Sequence, residues 1–197
     1  MRTLTSYPVC NTPARHPQTA RGARIFRHLT RGLLLIAVSL LATEGCSHGK
    51  VRDGVYLAPG ERYRISLPGK SWKRVSGDGA DLVLTSREAG ASILTSTLCG
   101  RYTEAGLDVL SRNLFLGMRD RRILERGTVA LPAGAAERLQ VQARLEGTVF
   151  RAEAYTLRRA ACIHDFVYLS LPESFDESLP LFRTMMNSLR LGDESPK

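Results

Sequence analysis

This 197-residue chain has no apolar run long enough to span a bilayer as a helix. Its one extended run, residues 33–42 (LLLIAVSLLA), rises only about 15 Å as a helix against a hydrocarbon core of about 30 Å. Cysteine and histidine are scarce, four of each, and scattered. Neither Cys10, Cys46, Cys99 and Cys162 nor His16, His28, His48 and His164 show metal-ligand spacing, so no metal and no other cofactor is expected. The serines sit in no G-x-S-x-G elbow, and Gly77-Asp78-Gly79 lacks the strand-to-helix context of a phosphate loop. The length suits one domain and excludes a large multidomain enzyme. With 43% hydrophobic and 24% charged residues, the composition is that of a globular protein.

The formal charge of +9 changes meaning when it is divided along the chain. Residues 1–46 hold six arginines against Glu44, and the remaining 151 residues hold 22 basic and 18 acidic side chains, a net of only +4. Most of the per-residue excess therefore belongs to a leader. A stretch with arginines and no acids precedes the apolar run, and small residues follow it, which is the layout of a secretory signal. The sequence Thr43-Glu44-Gly45-Cys46 resembles the end of a bacterial lipoprotein signal, which implies lipid attachment at Cys46; a secreted form and an uncut anchor or cytoplasmic protein are the other readings. Cys10 would leave with the leader. Cys99 and Cys162 then remain as an even pair in an oxidising compartment. Residues 47–55 read as a short tether, 56–191 as the domain and 192–197 as a disordered tail.

Within 56–191 the period of the apolar residues sets the elements. Residues 62–67 alternate, with Tyr63, Ile65 and Leu67 on one side. Residues 81–86 and 91–99 read as strands of a hairpin joined by 87–90. Leu107, Leu110, Leu114, Phe115 and Met118 recur at helical spacing behind Thr103 as the expected N-cap. Strands are expected over 123–131, 137–145 and 148–158, the last two joined at Glu146-Gly147. Residues 162–171 (CIHDFVYLSL) are apolar on both alternating faces, the mark of a central strand covered on both sides. A closing helix is expected over 178–191, because a start at the possible capping box of Ser174 and Glu177 would place Pro180 beyond the first turn.

The order is βββαββββα, an α+β chain whose short connections demand a mostly antiparallel sheet with helices on both faces. That order, with YRISLP at 63–68, CIHDFVYLSL and FDESLPLFRTMMNSLRL at 175–191, resembles the PsbP-like superfamily of αβα sandwiches. The resemblance implies an envelope or lumenal accessory protein that binds or stabilises a membrane complex, and it brings no catalytic residues. The chain is thus expected to be a lipid-anchored, non-catalytic protein of the bacterial envelope. It would face the periplasm, work as a monomer on an envelope protein complex, and bind no nucleic acid. An exported hydrolase and a small-ligand carrier are the alternatives.

Three features bear on a site. Cys99 ends one strand and Cys162 begins another, so antiparallel neighbours would bring the thiols within disulfide reach; two buried free thiols are the other reading. His164 and Asp165 are consecutive in a strand and point to opposite faces, so they do not form a catalytic pair; a core histidine and a salt-bridged aspartate are expected. Arg119, Arg121 and Arg122, with Arg112 before and Arg126 after, read either as a solvated helix C-terminus favoured by the macrodipole or as a docking patch for acidic partners or anionic lipid headgroups.

Overall fold

The computed structural model describes residues 49–100 and 104–192. Cys10, Cys46, Thr103 and the tail residues 193–197 lie outside the described residues. A seven-stranded sheet runs in the order β4-β5-β6-β10-β9-β8-β7. Its strands are β4 (Lys73–Val75), β5 (Leu82–Ser86), β6 (Ala91–Cys99), β7 (Arg119–Leu131), β8 (Gly134–Leu145), β9 (Thr148–Arg159) and β10 (Cys162–Ser170). Every neighbouring pair is antiparallel. β10 is the central strand, as its two apolar faces require. The β8–β9 turn places Glu146 at φ 47° and Gly147 at φ 87°, the paired positive angles that a two-residue hairpin loop of right-handed twist needs.

A second, four-stranded sheet was not expected. β1 (Lys50–Arg52), β2 (Val55–Leu57) and β3 (Tyr63–Ser66) pair in series, and β11 (Arg190–Leu191) closes the far edge. The stretch read as a tether thus contains β1 and the start of β2. Gly192 also belongs to the fold rather than to a tail: its N–H donates to the Arg62 carbonyl at 2.8 Å, and a Cβ there would stand 2.3 Å from the Glu61 carbonyl oxygen.

The register of the large sheet sorts its side chains onto two faces. The first face, with Leu82, Leu84, Ile93, Tyr155, Leu157, Phe166 and Tyr168, packs against the small sheet and α2 (Phe175–Ser188). α2 begins three residues before its expected start. Phe175, fully buried, packs at 5.3 Å from the Tyr168 ring, and that burial outweighs the backbone bond lost at Pro180. Ser174 does not cap the helix; its hydroxyl meets Ser170 Oγ at 3.1 Å.

The second face carries a row in which Val75, Val83, Leu94, Val167, Ala154, Leu139 and Arg126 are successive partners across all seven strands. α1 (Leu107–Asn113) packs over the β8–β9 end of this face. The expected helical stripe is therefore right in direction but too long. Gly106 is the N-cap, and after Asn113 the chain tightens into turns whose N–H groups bond three residues back, as Met118 does to Phe115. Those turns still place Phe115, 2% exposed, on Leu139, Val141, Ala152 and Ala154.

Candidate functional site: an arginine-edged apolar groove

Cys99 and Cys162 are register partners, 4.0 Å apart at Cα, and are joined as a disulfide. His164 is 1% exposed, with its Nδ1 3.2 Å from Thr97 Oγ1 and its ring edge-on to Tyr63. Around it, Tyr63 and Thr95 share a hydrogen bond of 2.6 Å, and Thr97 donates to Asp81 at 2.7 Å. Burial pushes the Tyr63 hydroxyl and the Asp81 carboxyl up, and holds the His164 imidazole down to about 4 with help from the Arg62 charge. These groups are satisfied by one another in the seam between the two sheets. They knit layers together rather than line a cleft.

Asp165 departs from expectation. It lies in mid-strand, and among the described residues it forms no salt bridge. Its one hydrogen-bond partner is the Thr156 hydroxyl at 2.8 Å, and burial pushes its pKa up to about 6. Asp165 sits on the second face and His164 on the first, so the two do not meet.

The arginine run also lies elsewhere than the helix-end reading supposes. Arg119, Arg121, Arg122 and Arg126 are on β7, the outermost strand, which begins four residues before its expected start. Alternation fails there for a physical reason: all of its first eight positions are exposed, and register shifts fall between Arg119 and Arg122 and between Ile123 and Glu125. Asp120, at φ 51°, turns its carboxylate to Arg144 at 3.2 Å. The macrodipole argument therefore applies only to Arg112, which closes α1 and holds Asp108 at 3.1 Å.

What the strand placement creates is a groove of about 410 Å³ between α1 with its following turns and the β7–β8 hairpin. Phe115, Leu139 and Val141 form its floor, and Val109, Leu116 and Ile123 its walls. The floor residues are at most 2% exposed, whereas Leu116 is 63% and Ile123 48% exposed. Arg112 stands on the α1 side and Arg121 on the β7 side, where its Nη1 donates to the Phe115 carbonyl at 3.4 Å. Arg119, Arg122 and Arg126 form no ion pair among the described residues. The sequence reading missed the apolar half of this site, although Leu116 stands off the helical stripe and Ile123 opens a stretch read as strand.

No family model matches the chain, and no curated protein matches it. Among solved structures, cyanobacterial PsbP (CyanoP) from Synechocystis sp. PCC 6803 superposes with a TM-score of 0.55 at 14% identity, over 79% of this chain and 99% of that one. A protein from Bacteroides thetaiotaomicron VPI-5482 superposes equally, at 0.55 and 12% identity, over 75% of this chain and 51% of its own. At such identities the likeness is one of fold, and the fold is PsbP-like.

Proposed function

We propose that this protein is a lipid-anchored accessory component of the bacterial cell envelope, facing the periplasm, that docks as a monomer on an envelope complex and works by binding rather than catalysis. The observation that carries this reading is the groove on the second face of the large sheet. Exposed Val109, Leu116 and Ile123 stand there beside Arg121, which forms no ion pair among the described residues, whereas the titratable cluster around His164 lies in the seam between the sheets. Apolar side chains left in water beside cations mark an interaction surface better than either feature alone. The leader supports the anchor, since an arginine-bearing stretch, an apolar run and Gly45-Cys46 follow in that order. Among the described residues no helix is long and apolar enough to cross a membrane.

Two measurements test the reading. Cys46→Ser should leave the precursor uncut and abolish labelling by a fatty-acid analogue; labelling that survives refutes the anchor. Crosslinking and affinity capture from native membranes should recover an envelope complex with the wild-type chain and lose it when Arg119, Arg121 and Arg122 are replaced by Glu. Undiminished capture by that triple variant refutes docking through β7.

A further inference from the structure

The geometry points to the chemistry of the partner: a short acidic protein segment that seats one large apolar side chain on Phe115, Leu139 and Val141 and sets carboxylates against Arg121 and Arg126 on the β7 side. The inference rests on the docking reading above and deepens it.

Shape comes first. The groove's floor is recessed below walls that are 41–63% exposed. Its volume of about 410 Å³ is at the small end of the range for ligand pockets, and it suits one or two side chains. A bilayer laid on this surface would meet Leu116 and the arginines while leaving the recessed floor uncovered. A side chain projecting from a partner backbone covers floor and walls together, the arrangement of an anchor residue at an interface centre.

Charge comes second. The acids near the groove are engaged: Asp108 with Arg112, Asp120 with Arg144, and Glu125 with Arg138. Glu125 pairs in register with Gln140 on the opposite face of the sheet, so it does not neutralise the groove. Register places Arg126 opposite Leu139, on the groove's own face, one step along from Ile123. Arg112 on the α1 wall is answered by Asp108, so the slot's uncompensated charge stands on the β7 side, where Arg121 and Arg126 form no ion pair among the described residues. The complement is an apolar residue followed on that side by carboxylates, and like charges there would be rejected.

The test is selection of a display library of random peptides of about 16 residues on the immobilised protein. Enriched peptides should carry Asp or Glu beside a Leu, Phe or Trp. Leu116→Ser and Arg121→Glu should each weaken their binding about tenfold with the melting temperature unchanged, because both side chains face water. Lysine in place of the peptide carboxylate should restore binding to Arg121→Glu. No enrichment, enrichment of peptides without carboxylates, or equal binding by both variants overturns the inference. So does adsorption to phosphatidylglycerol vesicles that the enriched peptides fail to displace. The two readings fail differently. Capture from membranes that survives the triple arginine reversal removes docking itself; capture lost on charge reversal but untouched by Leu116→Ser leaves docking standing and removes the slot.

Discussion

The two faces of the large sheet are built to different standards. On the first, twenty described residues make one buried cluster, and Tyr63, Phe166, Tyr168, Phe175 and Phe182 in it are at most 1% exposed. On the second, only Phe115, Leu139, Val141, Ala152 and Ala154 form a buried cluster, and two of those are alanines. Polar groups follow the same division. Glu153, fully buried on the first face, accepts two bonds from Arg183 at 3.0 and 2.7 Å, one from Gln140 at 2.7 Å and one from Tyr155 at 2.9 Å. Asp165 on the second face has a single hydroxyl. The first face carries the larger share of the buried apolar and hydrogen-bonded groups, and the second the smaller.

Substitution of paired aromatics breaks or sharpens this contrast most strongly. Phe182→Ala, in the centre of the first face, should cost about 4–5 kcal/mol, because its surroundings cannot collapse into the space. Phe115→Ala should cost less, about 3 kcal/mol, since its neighbours border an open groove into which water can follow. Denaturant melts of both variants decide the matter, and equal losses would mean that the second face is as tightly determined as the first.

Next comes the bridge between β6 and β10. Reducing Cys99–Cys162, or replacing both cysteines by Ser, frees a loop with a sequence separation of 63 and should destabilise by about 4 kcal/mol through the entropy of the unfolded chain. The loss should appear as a lower denaturation midpoint with reductant present. The loop spans α1, β7, β8 and β9, so the bridge supports the less buried face from outside it.

Glu153→Ala should cost about 3 kcal/mol, since it leaves Arg183 and its other donors unanswered; Arg183 is 40% exposed on its side chain, which holds the figure to the lower end for a broken buried pair. The two carboxylates should also give opposite pH dependences. Burial alone would raise the Glu153 pKa, but Arg183, Gln140 and Tyr155 outweigh it and hold it below the usual value. Its contribution is therefore present above the unfolded pKa and lost as pH falls through the folded one. Asp165, pushed up to about 6, binds its proton more tightly folded than unfolded, so its contribution declines as pH rises from about 4 to 6. Asp165→Asn should remove that decline and stabilise near pH 7 by about 1 kcal/mol; a profile unchanged by the substitution would show that Asp165 is hydrated in solution.

The smallest effect concerns the outer strand. Replacing Arg119, Arg121 and Arg122 by Glu should shift stability by less than about 0.5 kcal/mol, because exposed charges contribute little to folding. A large loss in thermal melts would make the arginines part of the fold and blur the division between the faces.

The sequence was most legible where one face is buried and the other wet. Leu82 and Leu84 on β5, Leu139 and Val141 on β8 and the doubly apolar β10 all announced themselves by period, and Cys99 and Cys162 by their places at a strand end and a strand start. β1, β2, β4 and β11 are two or three residues long, too short for any period to show. The start of β7 was hidden because most side chains there face water, which removes the alternation that marks a strand. The groove was illegible for a further reason. It needs α1 to end at Asn113 and Phe115 to be carried by turns, and helical spacing reads the same through both.

The outermost position of β7 has a last consequence. A thirteen-residue strand with no outer neighbour among the described residues offers a ladder of N–H and C=O groups to any extended chain, including another copy of itself. At the opposite edge β4 escapes the hazard by being three residues long. β7 cannot, and it relies on two bulges that spoil the ladder and on arginines that set one basic strand against another if two such edges meet. Neutralising those arginines with alanine would therefore expose the protein to fibrous self-association at high concentration, whereas reversing them to glutamate would keep the edges apart.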